Sequence, residues 1–156
     1  MKDTRLLHVD SEFGKIVVNE CLKRGYEINT QKLEKLLVIM HGKMLAEYDT
    51  PLLKSHIIPT EKAGVMIPQI DKDFIMYGLG FEEELEGYIL MLENQEKVIK
   101  QTLATYGELD VFDLITKTSL KSLNDHCLKK GYLIIPDDVI KTAFSGLIWL
   151  DEEKTI

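Results

Sequence analysis

Along most of the chain, apolar positions recur three and four residues apart, the spacing of helices with one buried face. Phe13, Ile16, Val17 and Cys21 share such a face. They predict a helix over residues 12–24, with Ser11 as N-cap and Gly25 as the left-handed residue that ends it. A second helix, capped by Asn29 or Thr30, carries Leu33, Leu36, Leu37, Met40, Met44 and Leu45 and stops before Pro51. Pro51, Pro59 and Gly64 then break the pattern, which predicts a loop with at most a short strand pair around residues 52–66. Pro68 suits the first turn of a third helix. Ile70, Phe74 and Tyr77 face inward, and Gly78-Leu79-Gly80 ends it.

The second half continues in the same way. Leu85, Ile89, Leu92, Ile99 and Leu103 predict a long helix from near Glu82, bent or broken near Glu93-Asn94 and closed by Gly107. Asp110 caps a helix bearing Val111, Leu114 and Ile115. Ser119 caps another, with Leu120, Leu123, Cys127 and Leu128, ended by Gly131. Pro136 opens the last, with Val139, Ile140, Ala143 and Phe144 buried and Gly146 as its stop. The expected fold is mainly α, a single-domain helical bundle of about six to seven helices over residues 8–146. A C-terminal tail, 147–156, carries Trp149, which docks on the body or frays.

Cys21-Leu22-Lys23-Arg24-Gly25-Tyr26 recurs as Cys127-Leu128-Lys129-Lys130-Gly131-Tyr132. In each copy the basic pair sits at a helix C-terminus, where cations complement the dipole. The glycine turns the chain and the tyrosine packs back on the preceding turn. Shared capping chemistry accounts for the echo without a duplication.

Composition adds limits. The chain has 156 residues, 45% hydrophobic and 29% charged, with 14 Gly and Pro together. That is globular, not low-complexity. Near this length a core forms without disulfides or metal. No apolar run suits a bilayer span or a secretory leader, so a cytoplasmic protein is expected. The two cysteines lack a CxxC spacing and read as reduced, buried small hydrophobes.

The net charge of −7 is unevenly spread: residues 61–110 hold eleven acids and four bases, densest at Glu82-Glu83-Glu84 and Glu86. Lysines and arginines gather on no stretch that would displace counterions from phosphates, so no nucleic acid is expected. The acidic run is a solvated helix start or a face for a basic protein. The chain lacks a nucleophile elbow, a phosphate-cradling glycine loop and the paired-His zinc spacing. His8, His41, His56 and His126 are scattered. Asp71, Asp73 and Glu82 do not share a helix face. No enzyme, metal or cofactor is expected, and His41 reads as a hydrogen-bonded structural residue.

Four stretches in order, Ile28–Gly42, Gly64–Pro68 with the helix after it, Tyr106–Thr116 and Ile135–Phe144, resemble the Panacea antitoxin-domain family of phage-associated proteins. With the first helix they cover about residues 8–146. The resemblance implies a helical, protein-binding module that neutralises a toxic partner by direct contact. It departs from the family at four places. Ala63-Gly64-Val65 stands for an aromatic-Gly-Pro, His41 for a glutamine, Lys117 for a histidine, and a Pro-Trp near Ser119–Leu123 is missing. These changes motivate an alternative, a phage-encoded protein that binds and inhibits or redirects a host or defence protein. Family motif and acidic segment together nominate His41, Gly64, Met66, Pro68, Phe81, Glu83 and Lys117 as partner-binding positions. Ile67, Tyr88 and Trp149 are further apolar candidates for hot spots.

Overall fold

In a computed structural model that describes residues 4–145, the helix over Thr30–Tyr48 (α2) is buried on nearly every side. Leu33, Leu36, Leu37, Val38, Ile39, Met40 and Met44 are all at most 1% exposed. A helix buried on nearly every side, its Lys32, Glu34 and Lys35 included, belongs at the centre. Each of the apolar side chains contributes about 2 kcal/mol by leaving water. Around it pack α1 (Val9–Lys23), α3 (Pro68–Phe74), α4 (Glu93–Tyr106), α5 (Val111–Lys117) and α7 (Asp137–Phe144). The remaining helix, α6 (Leu120–Lys130), packs on α5. Seven α-helices and one short 3₁₀ turn, Ile75–Tyr77, make up the described fold. It is mainly α, as the periodicity predicts. The strand pair reduces to one antiparallel bridge between Ile58 and Met66, whose two N–H···O bonds are 2.9 and 2.8 Å. Trp149 and the rest of the tail lie outside the described residues.

Local capping chemistry sets several boundaries. Asn29 accepts from Lys32 N at 2.8 Å and Asp110 from Asp113 N at 2.8 Å. The two echo segments have the same geometry. Gly25 and Gly131 take φ of +75° and +77°, and Tyr26 N and Tyr132 N bond back to Cys21 O and Cys127 O at 2.9 and 3.0 Å. Only glycine enters that left-handed region at no steric cost. Both cysteines are free and buried, and burial pushes their thiols up to about 11.

Three boundaries differ from expectation. α1 begins at Val9, with His8 Nδ1 accepting from Asp10 N at 3.1 Å. Ser11 therefore lies inside the helix, and its hydroxyl donates to Asp73 Oδ2 instead. Ser119 holds the cap position of α6, but it is Thr118 Oγ1 that accepts from Leu120 N. The largest difference is over residues 82–92, where the long helix is absent and the chain has no regular secondary structure until Glu93. Like charges at Glu82, Glu83, Glu84 and Glu86 and a glycine at 87 weaken helix there.

α1 supplies what the helix would have given. Asn19 exchanges two bonds with the Leu85 backbone, at 2.6 and 2.7 Å. Lys15 Nζ donates to Glu86 O at 3.1 Å, and Glu12 Oε1 accepts from Tyr88 N at 2.7 Å. Three side chains on one helix face thus stand in for a neighbouring strand. Asp10, also fully buried, accepts from Lys54 N and Ser55 N and holds the start of the 50–60 loop in the same way.

α7 reaches α2 over Gly42. A Cβ built there would lie 2.1–2.8 Å from three ring carbons of Phe144. Gly42→Ala gains about 1 kcal/mol of helix propensity. It must also displace that ring, and overpacking costs about 1–3 kcal/mol. The expected result is a net loss of about 1 kcal/mol in urea unfolding, reversed by adding Phe144→Leu. A stabilised single variant would contradict the close approach.

Candidate functional site

The α1–α2 link, the turn after the 3₁₀ segment and the α4–α5 turn converge on one broad surface groove of about 1000 Å³. Gly25 swings the chain away from α1, and Asn29 starts α2, so Tyr26–Asn29 form the groove's back. Phe81 N donates to Ile28 O at 2.9 Å, which draws the 79–82 segment alongside. The Phe81 ring stacks on Tyr77, centroids 4.5 Å apart, and meets Phe74 edge-on at 5.6 Å. From below, Lys32 Nζ donates to Glu27 O at 2.6 Å and to Gly107 O at 2.7 Å, joining the first link to the α4–α5 turn. Burial lowers the Lys32 pKa, partly offset by its attraction to Cys21, Glu27 and Asp110.

Two further segments complete the lining: Leu79 and Glu82 come from one, and Glu108, Leu109, Asp110, Val111 and Phe112 from the other. Leu79 is fully exposed and Phe112 is 71% exposed. Glu27, Glu82, Glu108 and Asp110 outnumber Arg24 and Lys32 among the lining charges. Arg24 has a partner in Glu20 at 3.8 Å, and Lys32 is spent on two carbonyls beneath the floor. The groove therefore presents apolar side chains edged by negative charge. Such a surface can hold a chain segment; it converges no acid, base and nucleophile. Among the described residues, no group of three or more His, Cys, Asp or Glu side chains is placed to hold a metal ion. Among them, too, no helix is long and apolar enough to cross a membrane.

Of the positions nominated by sequence, Phe81 lies at the groove, as its floor. His41 is 1% exposed and Phe81 5%, so both side chains are buried here. His41 Nδ1 accepts from Leu52 N and Leu53 N at 3.2 and 3.0 Å, which leaves Nε2 to carry the proton it shares with Asp137 at 2.9 Å. Ile67 is likewise fully buried. Gly64, at φ +75°, closes a tight loop in which Thr60 N and Oγ1 donate to its carbonyl. Met66 pairs with Ile58, and Pro68 is exposed at the first turn of α3. Glu83 is exposed beside the groove segment, and Lys117, 63% exposed, lies 3.7 Å from Asp113. Tyr88 is 48% exposed on the 82–92 segment.

Leu79 and Phe112 were not nominated. A leucine between two glycines reads as part of a turn, and Phe112 falls beside the α5 stripe rather than in it. That second mismatch is the one signal the sequence held. No family model, curated protein or solved structure matches the chain.

Proposed function

We propose that this chain is an antitoxin-like protein-binding module that neutralises a toxic partner by direct contact. The observation that carries the reading is the pair of exposed apolar side chains, Leu79 and Phe112, that line one groove. Apolar groups grouped in a concavity and edged by charge mark contact sites between proteins. The ordered resemblance to the Panacea antitoxin-domain family supports the same class. No catalytic step and no cofactor is assigned to it. The replaced residues at Ala63, Val65, His41 and Lys117 favour a partner different from those of typical family members, and a host or defence protein is the second reading.

Co-expression with the product of the adjacent reading frame tests the first reading. Growth arrested by that product is expected to recover, with a stoichiometric complex on size-exclusion chromatography. No rescue and no complex with either neighbouring product would refute the toxin-neutralising role.

A further inference from the structure

We infer that the groove between residues 79–82 and 108–112 receives a basic amphipathic helix of the partner, seated by Leu79 and Phe112 and steered by the surrounding carboxylates. This rests on the protein-binding reading and specifies the segment recognised. Charge complementarity is the first support. Glu27, Glu82, Glu108 and Asp110 line the opening, while the two lining cations are paired or buried. A lysine- or arginine-bearing segment gains from that field, and an acidic one is repelled. The second support is the placing of the anchors. Both are exposed and line one concavity, and apolar side chains grouped in a concavity suit the apolar face of a helix. At about 1000 Å³ the space is at the upper end for a small molecule, which suits a polypeptide better. The floor is cross-linked, since Phe81 N donates to Ile28 O and Lys32 Nζ donates to Glu27 O and Gly107 O.

The probe is a synthetic peptide with leucines at helical spacing and lysines elsewhere, set against its glutamate counterpart. Fluorescence anisotropy gives affinity, and amide chemical shifts of the full chain give position. The lysine peptide is expected to shift amides of 25–32, 79–82 and 108–112, and the glutamate peptide to bind at least about tenfold more weakly. Phe112→Ser or Leu79→Ser should weaken the lysine peptide about tenfold. Leu90→Ser, at a side chain 95% exposed outside the groove, should not. Charge reversal by Glu82→Lys with Glu108→Lys should invert the peptide preference. All five altered side chains are exposed, so thermal unfolding should stay near wild type. Shifts elsewhere, or equal loss in the Leu90 variant, would overturn the assignment.

The two proposals fail separately. A neighbour-encoded partner that binds Phe112→Ser and Leu79→Ser at full strength removes the groove while keeping the protein-binding module. Peptide binding in the groove with no growth rescue removes the antitoxin role alone.

Discussion

Replacing Lys15 by methionine should lower stability by about 3–5 kcal/mol, the largest effect expected of any single exchange in this chain. Lys15 is fully buried, and its ammonium lies 3.1 Å from Glu12 Oε2 while donating to the carbonyls of Arg5 and Glu86. It also sits 5.2 Å from the centre of the Tyr88 ring. Methionine fills much of the same space but leaves Glu12, 3% exposed, with no cation beside it. Burying one unpaired carboxylate costs more than the pair itself ever contributes. The double exchange Lys15→Met with Glu12→Gln should therefore recover at least about 2 kcal/mol of the loss. Glutamine can still accept from Tyr88 N and Leu7 N, the two bonds Glu12 now makes to the backbone. Urea unfolding of the four proteins measures the coupling. Losses that simply add would show that Lys15 and Glu12 do not act as a pair.

The same exchange tests how the 82–92 segment is held. If Lys15 and Glu12 template its course, the amides of Leu85 and Tyr88 should lose hydrogen-exchange protection in the Lys15 variant before those of α2. This segment is where sequence and structure part most sharply. Leu85, Ile89 and Leu92 have helical spacing, yet the decision is made by Glu12, Lys15 and Asn19, 66 to 76 residues away. Polar side chains on α1 read as a solvent face, and nothing local marks them as buried.

The legible features are those whose causes lie within a turn or two. The α2 stripe, the Asn29 and Asp110 caps and the twin Gly-Tyr stops follow from neighbours in the chain. His41 as a structural residue was legible in kind, since a lone histidine in an apolar helix needs partners, although those partners, Leu52, Leu53 and Asp137, were not. The groove was hidden for the same reason as the 82–92 segment. Its lining comes from three separated stretches, and what distinguishes Leu79 and Phe112 is exposure, a property of the assembled surface.

Glu34→Gln should stabilise the protein increasingly as pH rises from about 5 to about 8, reaching about 2 kcal/mol. Glu34 is 1% exposed on α2, and Oε1 accepts from Ile67 N at 2.8 Å. Burial pushes its carboxyl from 4.5 up to about 7, against the opposing pull of the Ile67 N–H and the Lys35 cation, with Asp71 adding to the rise. A folded pKa above the unfolded one means that the native state binds the proton more tightly. Between about pH 4.5 and 7 the native state therefore loses stability as pH rises, and above that window the loss is complete, about 3 kcal/mol. Glutamine keeps the acceptor for Ile67 and does not ionise, so it escapes that loss. It also withdraws a negative charge from Lys35, whose own pKa burial lowers and Glu34 partly restores, which is why the gain falls short of the full amount. Lys35 donates to Ala63 O and Val65 O at 2.6 and 2.8 Å. Adjacent acid and base on α2 thus clamp the Gly64–Pro68 stretch from opposite sides. Chemical denaturation of both proteins across the pH range reads the difference. A gap that stays constant with pH would mean Glu34 is ionised throughout, and the clamp an ion pair with Lys35 at every pH.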